Sequence, residues 1–281
     1  MSTTPTPLTS SDRPTSPYRP ASPYRPASPY RLTSRGILRS EWHKLWTLRS
    51  TWIMLGVAGV FTVVLGMIVA ATYTPSPGDN IDPVTYALLG TQIGQVAIAV
   101  LGILITAGEY STGMVRATMA AVPRRLPVLW AKTAVFGTVA LGTLLITDFL
   151  TFPLAQLFLG GTDLAASLGD PGIARAVAGS AAGTVLIGVI VLGLGSALRS
   201  VPGAIGAYVG GLILLPQLAL MIPNDTVQDA LGYFPLPASE SLAAVHTASG
   251  DLSPGAGLLT LCAWAVASLA AAAYLLKRQD V

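Results

Sequence analysis

Six long apolar runs, separated by short polar intervals, set the plan of this chain. Each is near the ~20 residues that a helix needs to cross a ~30 Å hydrocarbon layer. They cover residues 51–71, 86–107, 128–149 (with an extension available to 159), 176–198, 201–222 and 256–276. None alternates apolar with polar positions, so the strands of a membrane barrel describe them poorly. Pro202 separates the fourth run from the fifth, and Pro216 predicts a kink inside the fifth. The pattern predicts an all-α integral membrane protein with six transmembrane helices.

Residues 35–50 carry a different pattern. At 100° per residue, Ile37, Leu38, Trp42, Leu45, Trp46 and Leu48 fill one half-circle, and Arg39, Ser40, His43, Lys44, Thr47 and Ser50 fill the other. This separation predicts an amphipathic helix in the membrane interface, with Trp42 and Trp46 at headgroup depth. Glu41 and Arg49 interrupt the apolar face. Arg49 is near the end and can snorkel. Glu41 requires a cation: either Lys44, three residues on, or a basic group on the loop after the second run.

That loop (108–127) offers a second helical face. A helix over 111–122 would align Met114, Val115, Thr118, Met119 and Val122, and Pro123 would end it before Arg124 and Arg125. Pro127 then suits the first turn of the third run. A face bearing methionines fits an adaptable protein groove; the simpler role is packing on the membrane surface. The segment 223–255 carries Asp225, Asp229 and Glu240 and has room for two short helices, 226–231 and 238–247, that would cap the exit path.

Composition reinforces the membrane assignment. Apolar residues make up 52% of the chain and charged residues 10%, against ~25% charged in soluble domains, which excludes a soluble enzyme. Cys262 has no partner for a disulfide, and His43 and His246 alone cannot build a Cys/His zinc site. No cofactor is expected on this chain. The basic residues add orientation. With the N-terminus inside, 15 of the 16 Lys and Arg residues fall on the inner side, and only Arg175 falls outside. The predicted outer loops hold Asp79, Asp82, Asp163, Asp170, Asp225, Asp229, Glu240 and Asp251. This bias predicts six spans with both termini cytoplasmic. The first run begins at residue 51 and is too long for the apolar region of a signal peptide, so it should stay as an anchor.

Residues 1–34 repeat a Ser-Pro-Tyr-Arg unit at Ser16, Ser22 and Ser28. Proline at this density blocks helix and sheet and predicts a disordered tail. Such a tail serves as a spacer, or as a tether whose Arg19, Arg25 and Arg31 attract anionic lipids. Its few arginines make too small a footprint for nucleic acid.

Two motifs resemble a known family. The run Ser40-Glu-Trp-His-Lys-Leu-Trp-Thr-Leu-Arg-Ser-Thr-Trp resembles the N-terminal signature of bacterial ATP-binding-cassette transporter permeases of the type-2 exporter class. Glu109-Tyr-Ser-Thr-Gly-Met-Val-Arg-Ala-Thr, followed by Pro123-Arg-Arg and Lys132, is similar to that family's stretch at the second span and first cytoplasmic loop. Tyr233-Phe-Pro-Leu-Pro-Ala-Ser-Glu-Ser-Leu resembles its outer segment more weakly. The likeness covers residues 36–281. It implies a permease of the cytoplasmic membrane that works as a dimer, with a second copy or a paralogue, and that docks on a separate ATPase subunit. By the match, the coupling segment would hold Glu109, Gly113, Arg116, Pro123 and Arg124, and the helical face read above adds Met114 and Met119 to it. The interfacial helix would contribute Glu41, Trp42, Lys44 and Trp46. The family moves drugs, peptides, ions, lipids or polysaccharide, so it selects no substrate.

The residues constrain the mechanism further. No Gly-x-x-x-x-Gly-Lys-Ser/Thr phosphate loop occurs, so ATP hydrolysis would lie on another chain. Gln92, Gln95, Asp148 and Gln217 are the polar candidates for a substrate path. For the two glutamines, hydrogen bonding between helices is the simpler role. For Asp148 it is exposure at the outer interface. No charge is expected mid-membrane, which argues against a proton relay and favours an apolar or amphiphilic cargo. The Gly-x-x-x-Gly pairs at Gly90, Gly179 and Gly206 are expected to pack helices within one subunit rather than at a dimer seam. Two other classes compete with a permease. A membrane scaffold or sensor would use the Pro/Tyr/Arg tail. An intramembrane enzyme would need a catalytic pair that this sequence does not offer.

Overall fold

A computed structural model describes residues 33–75, 81–115, 125–246 and 252–278. The repeat tail lies outside the described residues, so its predicted disorder does too. Every regular element among the described residues is helical. Six helices are long and apolar enough to cross a membrane. The chain is an all-α, six-span membrane protein with an additional N-terminal helix.

The N-terminal helix, Ser34–Thr47, begins where Thr33 caps it, its hydroxyl accepting from the Gly36 N–H at 3.2 Å. It stops at Leu48, whose extended backbone (φ −79°, ψ 122°) makes a one-residue elbow. The first span, Arg49–Ala71, starts directly after it. Trp52 Nε1 donates to the Trp46 carbonyl at 3.1 Å across that elbow. Trp42, Trp46 and Trp52 stack in sequence, with centroids 5.6 and 4.7 Å apart. The apolar half-circle is divided in two. Ile37 and Leu45 turn into the protein together with Glu41, while Leu38, Trp42 and Leu48 stay exposed.

The second span, Gly90–Ser111, follows a short helix, Pro83–Ala87, capped by Asp82. The third helix runs unbroken over Arg125–Leu159, 35 residues. At 1.5 Å per residue that is ~50 Å, longer than the hydrocarbon layer. The fourth span, Ile173–Leu198, ends on Arg199 in the left-handed region (φ 55°). Ser200 caps the next helix through the Gly203 N–H at 3.3 Å, with Pro202 in its first turn. The chain thus reverses over two residues.

The fifth span departs from a simple kink. It is α-helical over Val201–Ala207, π-helical over Tyr208–Leu214 and α-helical again over Leu215–Ala219. Proline has no N–H to give the carbonyl four residues back, and its ring clashes there. The turns before Pro216 widen instead of bending sharply, a known alternative to a kink. The two outer helices form at Asp225–Gly232 and Pro235–Ala243, and the sixth span at Pro254–Arg278.

The second and fourth spans are the axis of the bundle. Two-thirds of each is buried, against about a quarter of the first, fifth and sixth. Glycine lets them approach: a Cβ on Gly102 would lie 2.8 Å from the Gly188 carbonyl. Thr106 donates across the gap to the Leu192 carbonyl at 3.2 Å. Phe136, Leu144, Ile98, Leu101, Ile187 and Ile190 fill the core around this axis.

One end of the bundle carries Lys44, Lys132, Arg199, Lys277 and Arg278; the other carries Asp82, Asp163, Asp170, Asp225 and Asp229. At the acidic end Asp82 ties the short helix Pro83–Ala87 to the segment after the second outer helix. Its Oδ1 accepts from Val84 and Thr85, and its Oδ2 from the backbone N–H of Val245 (2.6 Å) and of His246 (3.3 Å). Arg175 donates to the carbonyls of Leu242 (3.2 Å), in the last turn of the second outer helix, and Ala244 (2.5 Å), just past its end. That helix is thereby seated on the fourth span.

Candidate functional site

The basic end holds a closed ring of four charges. The N-terminal helix presents Glu41 and Lys44 one turn apart. The last turn of the second span presents Glu109, and the second turn of the third helix presents Lys132. Lys132 Nζ lies 2.8 Å from Glu41 Oε2 and 2.7 Å from Glu109 Oε1. Lys44 Nζ lies 2.8 Å from Glu41 Oε1 and 3.2 Å from the same Glu109 Oε1. Signs alternate around the ring, and its net charge is zero.

Glu41, Glu109 and Lys132 are buried, whereas the Lys44 side chain is 28% exposed. Water therefore solvates the ring poorly, and each charge depends on its neighbours. Such rings are weak evidence for stability, but losing one member strands a buried charge, so any arrangement that separates the four groups is costly. Here they lock the N-terminal helix against the two spans on either side of the loop 108–127.

Lys44 registers both influences. Burial lowers its pKa, but the Glu41 and Glu109 carboxylates outweigh burial and hold it above its ordinary value of 10.5. A group with a raised folded pKa gives its full stabilisation below the unfolded value and loses it as the pH climbs through the folded one. Stability should therefore fall above about pH 10.5. Chemical denaturation in detergent across that range should show a smaller fall for Lys44→Arg, because arginine keeps its charge.

A cavity of about 300 Å³ opens beside the ring. Leu45, Leu48, Leu104, Ile105 and Val135 give it apolar walls, and Met114 lines it while remaining 38% exposed. Gly113 sits at φ +73° just after the second span, a backbone conformation that side chains resist. It turns the chain so that Val115 is buried and Met114 is left at the surface. Arg116, Met119, Pro123 and Arg124 lie outside the described residues, as does most of the predicted helix 111–122. At the same end, the Arg199 guanidinium sits 5.3 Å from the centre of the Tyr110 ring. This contact joins the fourth-to-fifth-span reversal to the second span.

Glu41 has both Lys44 and a second, unexpected partner. Among the described residues the second cation is Lys132, inside the third helix; the basic side chains of the loop itself lie outside them. A signal for it exists in the sequence: Lys132 is the lone ammonium within an apolar run and requires a carboxylate. Glu41 consequently lies on the buried strip and does not interrupt a lipid-facing one.

The expected path residues separate. Gln92 and Gln95 line a 60 Å³ cavity near the acidic end with Thr91, Ser180, Thr184 and Glu240. Gln217 is exposed and is not among the residues that line this cavity. Asp148 is corrected: it is fully buried and not exposed at an interface, because the third helix continues eleven residues beyond it to Leu159 and packs there. The glycine pairs separate as well. Gly90 and Gly94 meet the first span, and Gly179 and Gly183 meet the second outer helix, as expected of packing within one subunit. Among the described residues, nothing lies within 4 Å of a Cβ at Gly206 or Gly210.

Comparison of the sequence with models of known protein families and with curated proteins returned no match to either.

Proposed function

We propose that this chain is the membrane-spanning permease subunit of an ATP-driven transporter. One observation carries the reading. The Glu41–Lys44–Glu109–Lys132 ring clamps the N-terminal helix to the two spans that flank the loop 108–127. A load applied to that loop would reach the second span, the third helix and the N-terminal helix together. The first span would follow through the Trp46–Trp52 contact at the elbow. This is the rigid linkage needed to turn the closure of a separate ATPase into a movement of spans. The motifs that carry the family resemblance contain three of the four ring residues in their contiguous runs, and Lys132 beyond them.

In this reading the basic end faces the cytoplasm of a bacterial cell, and the ATPase docks on the loop, with Met114 part of the docking face. A second permease copy or paralogue completes the transporter. The cargo is apolar or amphiphilic, and it moves outward.

Capture of the tagged full-length chain from its native membrane in mild detergent tests this. A nucleotide-binding subunit should co-purify stoichiometrically. It should be lost on combined Met114→Asp and Met119→Asp replacement, while the permease still inserts and stays monodisperse. A folded protein that brings no such subunit would support the scaffold or sensor reading instead.

A further inference from the structure

Among the described residues, Asp148 is the one buried carboxyl that the proposed coupling does not use. It sits in the third helix and is fully buried. Its Oδ1 accepts a hydrogen bond from the Thr91 hydroxyl of the second span at 3.3 Å. The Ser180 hydroxyl of the fourth span is the other group beside it. Its Oδ2 is buried with no partner. Among the described residues, no lysine, arginine, histidine or second carboxyl pairs with it. A bare carboxylate in such surroundings is far more costly than a neutral acid.

Thr91 and Ser180 have a second contact. Both line the 60 Å³ cavity with Gln92, Gln95 and Thr184, and the exposed Glu240 of the second outer helix lines it as well. That volume holds a water or two, and the polar lining can hydrogen-bond them. Hydroxyls and water both accept and donate, so each can take one proton and release another.

We propose that Asp148 is a proton-binding site that exchanges with water at the acidic end through this cavity and the Thr91 and Ser180 hydroxyls. The step balances simply. A hydronium ion at the acidic end breaks one O–H bond and is left as water, its proton passes along the hydrogen-bonded chain, an O–H bond forms on Asp148, and the carboxyl charge changes from −1 to 0. Release reverses it, and no oxidant or co-reactant is needed. The sequence-based expectation against a proton relay rested on no charged residue sitting mid-membrane, with Asp148 placed near the outer end of its span; Asp148 is instead fully buried, eleven residues before the end of its helix. The inference does not depend on the permease reading, because its test observes the carboxyl directly.

Infrared spectroscopy of the full-length protein in lipid nanodiscs tests it. The wild type should show a protonated-carboxyl stretching band that is lost in Asp148→Asn. The band should shift on transfer to D₂O, and Thr91→Val should slow that shift while the band persists. Asparagine is close to isosteric with a neutral aspartic acid, so this variant should fold. If it does not, the Thr91→Val comparison alone reads the exchange. The absence of any band assignable to Asp148 would overturn the proposal. So would a band that never shifts in D₂O, which would mark a sealed structural acid, or one that shifts equally fast in Thr91→Val.

Discussion

Lys132→Met should lower the stability of the protein by about 3–5 kcal/mol, the cost of stranding a buried charge. The argument is one of charge counting. Among the described residues, removing Lys132 leaves Glu41 and Glu109, both buried, sharing the ammonium of Lys44. Removing Glu41 together with Lys132, as Glu41→Leu/Lys132→Met, leaves Lys44 and Glu109 as a balanced pair at 3.2 Å. The double variant should therefore recover most of the loss, since apolar replacements of a whole buried pair are often neutral or better. Denaturation of the purified variants in detergent, analysed as a double-mutant cycle, gives the coupling directly. A double variant less stable than Lys132→Met would show that the four residues do not act as a ring. If the coupling reading is right, Lys132→Met should also lower ATPase capture, because the N-terminal helix is no longer held against the loop.

Gly179→Leu should cost about 1–3 kcal/mol or somewhat more, the usual range for forcing atoms into a packed site. A Cβ at this position would collide with the backbone carbonyl of Leu242, which cannot rotate aside as a side-chain tip can. The second outer helix must then lift off the fourth span, and the two Arg175 hydrogen bonds to Leu242 and Ala244 would be lost with it. The control is Gly206→Leu at the same motif spacing, where nothing lies within 4 Å. There the change should fall within about 0.5 kcal/mol, or be slightly stabilising from helix propensity. Equal effects at the two positions would refute the seating of the outer helix.

That pair of glycines shows what can be read from the chain and what cannot. Both belong to identical Gly-x-x-x-Gly spacings. Only the neighbour, tens of residues away, decides that one is packed and the other open. The spans themselves were legible because their signal is local: twenty apolar residues in a row and a charge bias at the ends. The two outer helices were legible for a similar reason, with Asn224 capping the first and proline opening the second. The π-helical stretch was not, because proline announces only that an α-helix cannot continue normally. Whether the chain bends or widens depends on what surrounds Tyr208, which is fully buried. At the candidate site, Glu41 announced that it needed a cation. Its second partner came from 91 residues away, and sequence spacing contains no measure of that distance. Asp148 was misplaced for the converse reason. It lies near the end of a typical twenty-residue span, but its helix runs well past the usual length.

The neutrality of the four-charge ring has a consequence for energised membranes. Moving one elementary charge through the full membrane potential is worth about 2.3 kcal/mol per 100 mV. Two carboxylates and two ammoniums that shift together as one body transfer no net charge, so a movement that carries the ring intact is electrically silent. The ring itself would then add no voltage dependence to a conformational change that leaves its four contacts in place.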